Sequence, residues 1–421
     1  MILYKGKIYD DSKQAELIDG LREDLYKPFE QGRVLERETV INACDKLCTR
    51  VMRGDFDSIA KPLIEQFGVS EKQLKEMFYL FSRKGLEYKC EIELCDEEKV
   101  IDSKFTRKRY PLGILMHIAA GNVDALPAYS VIEGLLAGNV NILKLPASDS
   151  GISVLLLGEL IREEPTLADY IYVFDVPSTE TQTLKKLADL SDGVVVWGGD
   201  EAVRAARQFV DITTKIIAWG HKLSFAYACT DATDEMLRGV AKNVCYTNQV
   251  FCSSCQGIYV DTDSREEQLE LAKRFFEILV QENERLGKAD FGMRAKNSIN
   301  IYNERLERHV TNNDIFSQDG VSVICTDDNT LTLSYMYRSV WVKRLPHNDI
   351  IKVLKPHKNH LQTAGLLCAD DKKRKMLSQA LILAGITRIT SGEDMSRTVC
   401  GEAHDGCYAL REYSRIAETT E

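Results

Sequence analysis

Two short apolar runs, GILMHI at residues 113–118 and VNILKL at residues 140–145, decide the fold. Each has the length of a buried β-strand. The segment between them, 125–136, has a helical composition and ends at Gly138-Asn139, a typical helix C-cap. Strand, helix and strand in this order form a βαβ unit, which predicts two neighbouring parallel strands.

The same alternation continues on the carboxyl side of this unit. The sequence predicts, in order, helix 151–163, strand 171–176, helix 181–189, strand 193–198, helix 200–210 and strand 215–220. A second alternating set, with strand 256–261, helix 264–286 and strand 338–343, lies within 224–390. We therefore predict an α/β protein with two parallel sheets, which bind ligands at the carboxyl ends of their strands.

The domain organisation follows from these patterns. Residues 1–223 are predicted to hold a mostly helical lead-in (about 1–100) and the first sheet, 224–390 the second α/β domain, and 391–421 a segment that returns to the first. A length of 421 residues is enough for two or three domains, each with its own core.

Composition excludes several classes of protein. A net charge of -10 leaves no basic excess for phosphates, so we expect no nucleic-acid partner. We see no apolar run of membrane-spanning length and no signal peptide at the N-terminus. The 12 cysteines are therefore expected to be mostly buried free thiols in a reducing cytoplasm.

One cysteine has the surroundings of a nucleophile. Cys252 lies in NQVFCSSCQGIYV (248–260), where small and polar residues would leave a thiolate accessible before an apolar strand. An alternative is a zinc or redox site, because Cys252 and Cys255 form a CxxC. The sequence offers no second CxxC or histidine pair to complete a zinc site, and we expect no bound metal.

Polar residues also follow the predicted strands of the first sheet. Asn122 could stabilise an oxyanion or simply cap the next helix. Lys144 could bind ribose hydroxyls or a phosphate, or be an ordinary solvated lysine. Gly198-Gly199 forms a strand-to-helix turn that would let a phosphate approach the backbone, although it lacks a full GxGxxG pattern.

Taken together, these segments resemble a known superfamily. The stretches PLGILMHIAAGNVDALP, GLLAGNVNILKLPASD, VVVWGGDEAV, IIAWGHKLSFA, NQVFCSSCQGIYV and EAHDGCYAL occur in the order found in aldehyde dehydrogenases. The resemblance is closest to the acyl-CoA reductase branch, typified by the fatty-acid reductase of bacterial bioluminescence. It extends from about Pro111 to the C-terminus.

The resemblance implies an aldehyde-dehydrogenase fold with a Rossmann-like nicotinamide-binding domain and a second, catalytic α/β domain, with the site in the crevice between them. Cys252 corresponds to the catalytic cysteine and Asn122 to the oxyanion-hole asparagine. Lys144 corresponds to the lysine that binds the adenosine ribose. Gly198 and Gly199 correspond to the turn facing the pyrophosphate.

Departures from the superfamily pattern are informative. Ala218 stands near the position of the glutamate that activates water in aldehyde-oxidising members, which disfavours hydrolysis of an acyl-enzyme. NAD-specific members of the superfamily have an acidic residue shortly after the ribose-binding lysine, which repels a 2′-phosphate. Here Pro146, Ala147 and Ser148 follow Lys144, so NADPH is expected, with NADH as the alternative. Val203 replaces a later glycine of the family, which alters the pyrophosphate turn.

Three further residues near these segments have several possible roles or a passive one. His221, next to the lost glutamate, could act in acid–base chemistry, touch the substrate or be structural. Cys255 takes a place often held by proline in this branch and is expected to be passive. His404, in the branch's HDG signature, could shape the site or anchor the returning C-terminal segment.

The resulting hypothesis is an acyl-thioester reductase. Cys252 attacks an acyl-CoA or acyl-carrier thioester, the thiol leaves, and the Cys252-bound acyl group is reduced with NADPH to an aldehyde. The resemblance implies a homo-oligomer, a dimer or tetramer, and an acyl-protein synthetase or acyltransferase as donor enzyme. Two alternatives remain: an acyl-phosphate reductase of glutamyl-phosphate type, and a catalytically silent interaction protein.

The oxyanion role of Asn122 gives a first prediction. Loss of one oxyanion donor costs about 2.7–4 kcal/mol of transition-state stabilisation, so Asn122→Ala should lower kcat by roughly 100- to 1000-fold. Steady-state turnover of an acyl-CoA checks this, with circular dichroism to confirm folding. A folded variant that keeps the wild-type kcat would show that Asn122 has another role.

Overall fold

The structure, a computed structural model, describes residues 1–56, 78–94, 105–121, 125–311 and 313–420. The chain divides into two compact units: unit 1 comprises residues 1–220 and 398–421, and unit 2 comprises residues 221–397. Each unit is built on a seven-stranded sheet. The predicted α/β class with two largely parallel sheets is confirmed.

Unit 1 contains nine strands and eight α-helices within the described residues. The strands are β1 Ile2–Tyr4, β2 Lys7–Tyr9, β3 Phe105–Pro111, β4 Ile114–Ile118, β5 Val140–Lys144, β6 Ile171–Phe174, β7 Gly193–Trp197, β8 Lys215–Trp219 and β16 Ser414–Thr420. The helices are α1 Gln14–Glu30, α2 Arg37–Met52, α3 Arg83–Leu94, α4 Leu126–Leu136, α5 Ile152–Glu163, α6 Thr181–Asp189, α7 Asp200–Phe209 and α13 Ala409–Glu412.

The main sheet of unit 1 has the order β2-β1-β6-β5-β4-β7-β8. The five strands from β6 to β8 in this order are parallel. Strands β4, β5, β6 and β7 are almost wholly buried, which explains their continuous apolar sequences, whereas the edge strand β8 is partly exposed. The chain moves from β4 to one side through β5 and β6, then returns to the other side at β7. This reversal makes the carboxyl edge beside β4 a topological switch point, where parallel sheets bind ligands.

Helix α4 shows how the first βαβ unit is specified. Pro127 occupies the first turn, where its missing N–H costs nothing, and nearly every residue of the helix is buried. The helix ends at Gly138, whose φ of +87° favours glycine. The N–H groups of Gly138 and Asn139 donate to the carbonyls of Leu135 and Gly134 (2.8 and 3.0 Å), which confirms the predicted C-cap.

Helices α1, α2 and α3 agree with the mostly helical lead-in that the sequence predicts, but the lead-in begins with two strands that the sequence does not predict. The first nine residues form a hairpin, β1–β2, and β1 adds antiparallel to β6 at the edge of the sheet. Ile2 and Leu3 are completely buried there. A three-residue strand is too short to show alternation in sequence, and its burial depends on a distant partner, β6.

Unit 2 contains seven strands and five α-helices within the described residues. The strands are β9 Leu223–Ala228, β10 Cys255–Val260, β11 Asp314–Gln318, β12 Val321–Cys325, β13 Ser339–Arg344, β14 Leu361–Leu367 and β15 Arg388–Thr390, in the sheet order β11-β12-β13-β10-β9-β14-β15. The helices are α8 Asp234–Thr247, α9 Arg265–Leu286, α10 Phe291–Thr311, α11 Ile350–Leu354 and α12 Asp371–Ala384.

All pairings in the unit 2 sheet are parallel except that of β11 with β12. The central strands β9, β10 and β14 are buried along their whole length. Gly257 in β10 lies against the Trp341 ring of β13, and a Cβ at this position would lie only 1.9 Å from it. A larger residue at 257 would therefore displace the indole and disturb the centre of the sheet.

The C-terminal segment is tied into unit 1 by hydrogen bonds and a buried ion cluster. Strand β16 pairs antiparallel with β3 over seven residues. The Glu93 carboxylate accepts from the N–H of Leu410 at 2.9 Å, and the Arg411 guanidinium donates to the Glu93 carbonyl. The docking of residues 409–411 therefore depends on a carboxylate at the end of α3.

Lys89 neutralises that carboxylate. Its ammonium pairs with Glu93 and, at 2.9 Å, with Glu133, and all three side chains are less than a tenth exposed. Burial opposes the charged form of Lys89, but the attraction of Glu133 and Glu93 outweighs it and raises the pKa of the lysine. Burial raises the pKa of Glu93.

None of the helices in the described ranges is both long and apolar enough to cross a bilayer.

Removal of the Lys89 ammonium should destabilise unit 1. Lys89→Met leaves two buried carboxylates without their cation and should lower the free energy of unfolding by about 3–5 kcal/mol. Urea unfolding, followed by the fluorescence of Trp197 and Trp219 in a Trp341→Phe background, measures the effect. The control is Lys84→Met at an exposed position on the same helix, expected to change stability by less than about 0.5 kcal/mol. Equal stability of the two variants would contradict this view of the cluster.

Candidate active site

In unit 1, the carboxyl edge of the parallel strands collects most of the predicted cofactor-binding residues. Lys144 is the last residue of β5, and Gly198-Gly199 directly follows β7. The hydroxyl of Ser148 donates to the carbonyl of Gly121, after β4, at 2.9 Å. The fold therefore brings the segments 121, 144–148 and 198–199 to one edge, at the switch point between β4 and β7.

Lys144 is unusual among lysines in being 4 % exposed. Its ammonium donates to the Ser178 hydroxyl at 3.1 Å, and no carboxylate of the described residues lies within ion-pair distance of it. Burial lowers the pKa of Lys144, partly offset by the attraction of Asp175. A buried ammonium whose one close partner is a neutral hydroxyl is well suited to bind further oxygen atoms, such as those of a ribose.

Gly199 is the N-cap of α7, with extended backbone before the helix. A Cβ at Gly198 would lie 3.0 Å from the Cβ of Ala202, so the turn has no room for a side chain there. Asp200 and Glu201 occupy the first turn of this helix, where they already stabilise its positive end. These carboxylates weaken the case for a pyrophosphate directly on the helix N-terminus.

His404 of the HDG segment lies at the same edge. Its ring centroid is 5.2 Å from those of Trp197 and Trp219, the last residues of β7 and β8. The next two residues, Asp405 and Gly406, both have positive φ, which forms a tight turn. The returning C-terminal segment thus packs an imidazole against two indoles beside the carboxyl ends of the strands.

Asn122, the predicted oxyanion donor, lies outside the described residues. Its role stays a prediction.

In unit 2, Cys252 lies at the amino edge of the sheet. It belongs to the turn between α8 and β10 and is exposed. The turn is closed by two hydrogen bonds, from the Ser254 N–H to the Phe251 carbonyl and from the Phe251 N–H to the Ser254 hydroxyl. The Cys252 carbonyl accepts from the Ser224 hydroxyl of β9 at 2.7 Å, which fixes the backbone of the thiol to the sheet.

The segment before the turn has an unusual backbone. Asn248 and Gln249 both have positive φ (46° and 64°), a conformation that costs non-glycine residues free energy. The Gln249 amide compensates, because it donates to the carbonyls of Cys255 and Ser339 and accepts from the Ser339 N–H. These bonds hold the turn against both β10 and β13.

Arg338 braces the same segment from the other side. Its guanidinium donates to the side-chain oxygen of Asn248 at 2.9 Å and to the Cys245 carbonyl at 3.1 Å, and it is 4 % exposed. Arg338 and the two residues before it also have positive φ. The Tyr337 N–H donates to the Asn248 carbonyl at 3.0 Å, so two strained segments stabilise each other.

The Cys252 thiol has a hydrogen-bond donor beside it. The amide of Gln362, on β14, donates to the Cys252 sulfur at 3.3 Å. A donor in this position stabilises the thiolate, the form of cysteine that acts as a nucleophile.

His221 and His360 lie at the same edge. They precede β9 and β14, their rings are 6.3 Å apart, and the His360 ring contacts the His221 carbonyl at 3.2 Å. The imidazole of His221 is exposed, so it keeps both the acid–base and the structural interpretations.

Cys255 is much less suited than Cys252 to act as a nucleophile. It is fully buried, its thiol donates to the Gly257 carbonyl at 3.2 Å, and burial raises its pKa to about 12. Among the described residues, neither cysteine of this CxxC belongs to a group of three potential metal ligands. This geometry disfavours the zinc alternative at Cys252 and supports a passive Cys255.

Gln362, Ser224, Arg338 and His360 were not singled out from the sequence. They come from β14, β9 and the segments before β13 and β14, between 28 and 110 positions from Cys252 or its turn. No local pattern indicates that a glutamine on a later strand faces a given thiol. Their contribution emerges only from the order of strands in the sheet.

Comparison with known proteins identifies the family. The model of the acyl-CoA reductase (LuxC) family matches residues 36–416. The chain belongs to this family. Two curated relatives are the long-chain acyl-protein thioester reductases of Vibrio harveyi and Aliivibrio fischeri, each 27% identical, over 73% and 72% of the chain. The matches span 64% and 63% of those proteins, so the LuxC-family chain covers somewhat less than two thirds of each.

Solved structures establish the fold. The LuxC-family chain superimposes on glyceraldehyde-3-phosphate dehydrogenase GapN of Methanocaldococcus jannaschii, solved with NADP, with a TM-score of 0.73 at 13% identity, over 98% of this chain and 95% of that one. An indole-3-acetaldehyde dehydrogenase, solved with NAD⁺, gives a TM-score of 0.73 at 14% identity, over 96% and 89%. The predicted aldehyde-dehydrogenase fold is confirmed.

Gln362 offers a direct test of how this LuxC-family chain activates its exposed thiol. A hydrogen bond to a charged group contributes about 1.5–3 kcal/mol, so Gln362→Leu should slow alkylation of Cys252 by iodoacetamide at neutral pH by roughly 10- to 100-fold. Peptide mass spectrometry distinguishes Cys252 from Cys407, a second exposed cysteine in the described part of the chain. The matched control is Gln379→Leu, at an exposed position on α12, which should leave the rate unchanged. If both variants react at the wild-type rate, Gln362 does not activate the thiol.

Proposed function

We propose that this protein reduces acyl thioesters to aldehydes through a covalent thioester on Cys252, using a nicotinamide cofactor. The observation that carries the proposal is the exposed Cys252 thiol on a braced turn, with the Gln362 amide 3.3 Å from its sulfur, in a chain of the LuxC family. The curated relatives, long-chain acyl-protein thioester reductases by name, support the substrate class.

The first half-reaction is thioester exchange. The Cys252 thiolate attacks the acyl carbonyl, and the negative charge that develops on the carbonyl oxygen needs hydrogen-bond donors. We assign these to the backbone N–H of Cys252 and the Asn122 side chain. Collapse of the tetrahedral species expels the donor thiol and leaves the acyl group on the Cys252 sulfur. The Ser224 bond to the Cys252 carbonyl keeps this backbone in place throughout.

The residues at the carboxyl edge of unit 1 fit a nicotinamide dinucleotide. The buried Lys144 ammonium, with Ser178 as its close partner, would bind ribose hydroxyls, and the tight Gly198-Gly199 turn would admit the pyrophosphate near the backbone. When bound, the reduced cofactor supplies a hydride that converts the Cys252 thioester into aldehyde and free thiol. Asp200 and Glu201 favour a pyrophosphate position away from the helix terminus.

Cofactor preference depends on the charge near Lys144. We propose NADPH, because Pro146, Ala147 and Ser148 follow this lysine and none of them repels a 2′-phosphate. Asp175, after β6, lies close enough to favour the charged form of Lys144. This carboxylate weakens the preference for NADPH, so NADH should also be used. Neighbours with the same fold bind NADP in one case and NAD⁺ in another.

Ala218, near the position of the water-activating glutamate of aldehyde-oxidising relatives, supports reduction of the acyl-enzyme over its hydrolysis. Ala218 is exposed on β8 and offers no group that could take a proton from water. An acyl group on Cys252 would therefore persist until it is reduced or returned to a thiol. His221 is kept as a proposed acid–base or substrate-contacting residue.

We extend the proposal to partners and setting. An acyl-CoA or acyl-carrier thioester supplies the acyl group, with an acyl-protein synthetase or acyltransferase upstream.

A homo-oligomer is supported by the two-stranded ribbon β3–β16, since two strands alone are marginally stable and Tyr110 and Ile416 on it are about half exposed. A reducing, cytoplasmic setting agrees with the absence of disulfides among the eleven described cysteines.

The test separates thioester exchange from reduction. Incubation with an acyl-CoA but no cofactor should add one acyl mass to the Cys252 peptide and release one equivalent of CoA. Addition of NADPH or NADH should then give aldehyde, with turnover across a series of acyl-CoA chain lengths. Cys252→Ser should abolish acylation and aldehyde formation, whereas Cys407→Ser, at another exposed thiol, should keep both.

Three results would overturn the proposal. Aldehyde formation that survives in Cys252→Ser would show that another group carries the acyl chain. Reduction of an acyl phosphate but of no acyl-CoA would favour the glutamyl-phosphate type of reductase, and no reaction with any activated acyl donor would favour an interaction protein.

A further inference from the structure

The carboxyl edge of the unit 2 sheet holds a second group of sulfur and oxygen ligands. Cys229 directly follows β9, and Cys368 directly follows the neighbouring β14. The preceding residues, Ala228 and Leu367, are paired in register, so the two cysteines leave adjacent parallel strands side by side. Both cysteines are at most 1 % exposed, and the Cys368 thiol donates to the Asp370 carbonyl at 3.5 Å.

Asp231 completes this group. One carboxylate oxygen of Asp231 and the sulfur atoms of Cys229 and Cys368 all lie within 4.8 Å of one another. Among the described residues, no other set of three potential ligand side chains meets this criterion. In a tetrahedral zinc site with Zn–S bonds of about 2.3 Å, the ligand atoms are about 3.8 Å apart. The three side chains would therefore have to move together by about 1 Å to reach the spacing of a zinc site.

We propose that Cys229, Cys368 and Asp231 form a site for a thiophilic divalent cation such as Zn²⁺. Two thiolates favour zinc over the hard cations calcium and magnesium. Because Asp231 is exposed, the fourth position opens to solvent, and a water molecule fills it. The proposal goes beyond the reductase function and does not rest on it.

Binding of a divalent cation would not change the net charge around this group. Lys373 lies near both sulfur atoms, and its ammonium pairs with Asp261 at 2.8 Å. Without metal, Asp231, Asp261 and Lys373 give a net charge of about -1 with neutral thiols. As two M–S bonds form, two thiol protons pass to water, so the added +2 is offset and the net charge is unchanged.

The site is distinct from the CxxC at Cys252. Gln362, the second residue of β14, lies next to the Cys252 thiol, and Cys368 directly follows the end of this strand. Six residues at about 3.3 Å each separate Gln362 from Cys368, so the two sites are roughly 20 Å apart at opposite edges of one sheet.

The experiment uses Cd²⁺ alone as the first probe and Zn²⁺ as the second, on the full chain with Cys252→Ser so that the exposed nucleophilic thiol does not contribute. Reduced, metal-free protein should take up one equivalent of Cd²⁺, with the ultraviolet absorption of cadmium–thiolate bonds. Cys229→Ala and Cys368→Ala should each abolish this band. Zn²⁺ should displace the cadmium.

Matched variants keep the test independent of folding. Asp231→Asn changes an exposed side chain and should weaken Cd²⁺ binding by about 10- to 100-fold, while Asp349→Asn at a partly exposed position outside the group should not. Cys325→Ala, which removes a buried cysteine elsewhere in unit 2, should keep the band.

Three outcomes would overturn the site: no Cd²⁺ uptake by the reduced protein, uptake that persists in both Cys229→Ala and Cys368→Ala, or full affinity in Asp231→Asn. Isolation of the protein with a Cys229–Cys368 disulfide, and no Cd²⁺ binding after its reduction, would instead make the pair a redox couple.

Discussion

The central strands of both sheets are buried on both faces, and this constraint determines where chemistry can occur. A strand such as β4, β9 or β10 has no exposed face that could carry polar groups. Functional side chains are therefore confined to the ends of strands. In unit 1 they lie at the carboxyl edge, with Lys144 and Gly198 beside the switch point. In unit 2 the candidate nucleophile lies at the amino edge, before β10, and the carboxyl edge carries the separate Cys229–Cys368 pair.

Presentation of the Cys252 thiol requires a backbone that would not be stable in isolation. Residues in the left-handed region cost free energy, and five of them cluster here in two segments, Asn248-Gln249 and 336–338. The buried Arg338 guanidinium and the Gln249 amide supply the compensating hydrogen bonds. The turn is thus held by contacts at its base, which leaves its tip, the Cys252 thiol, exposed to solvent. This is the combination that a nucleophile needs: a fixed position and an open approach.

The sequence alone predicts much of this arrangement, and the parts that it misses share a physical cause. The buried strands and the C-cap at Gly138 are predictable because their signals lie within a few residues: continuous apolar runs, and a glycine where φ must be positive. Lys144 and Gly198 could be placed at one edge because parallel strands bring their carboxyl ends together. By contrast, Gln362 and Arg338 act on the Cys252 turn from strands more than 80 positions away. The hairpin β1–β2 is also stabilised by a distant strand, and no local period reveals it.

Unit 2 is one continuous segment of chain, whereas unit 1 is interrupted by it and is closed by residues 398–420. This has a consequence for biosynthesis. On a ribosome, residues 221–397 emerge as a complete folding unit while unit 1 still lacks β16, the partner of β3, and the helix that docks on Glu93. Domains generally fold as units during synthesis, and those formed by continuous segments can do so first. The nascent chain must therefore carry unit 1 without the partner of β3, and with the surface that residues 409–413 cover still exposed, until residues 398–420 have been made.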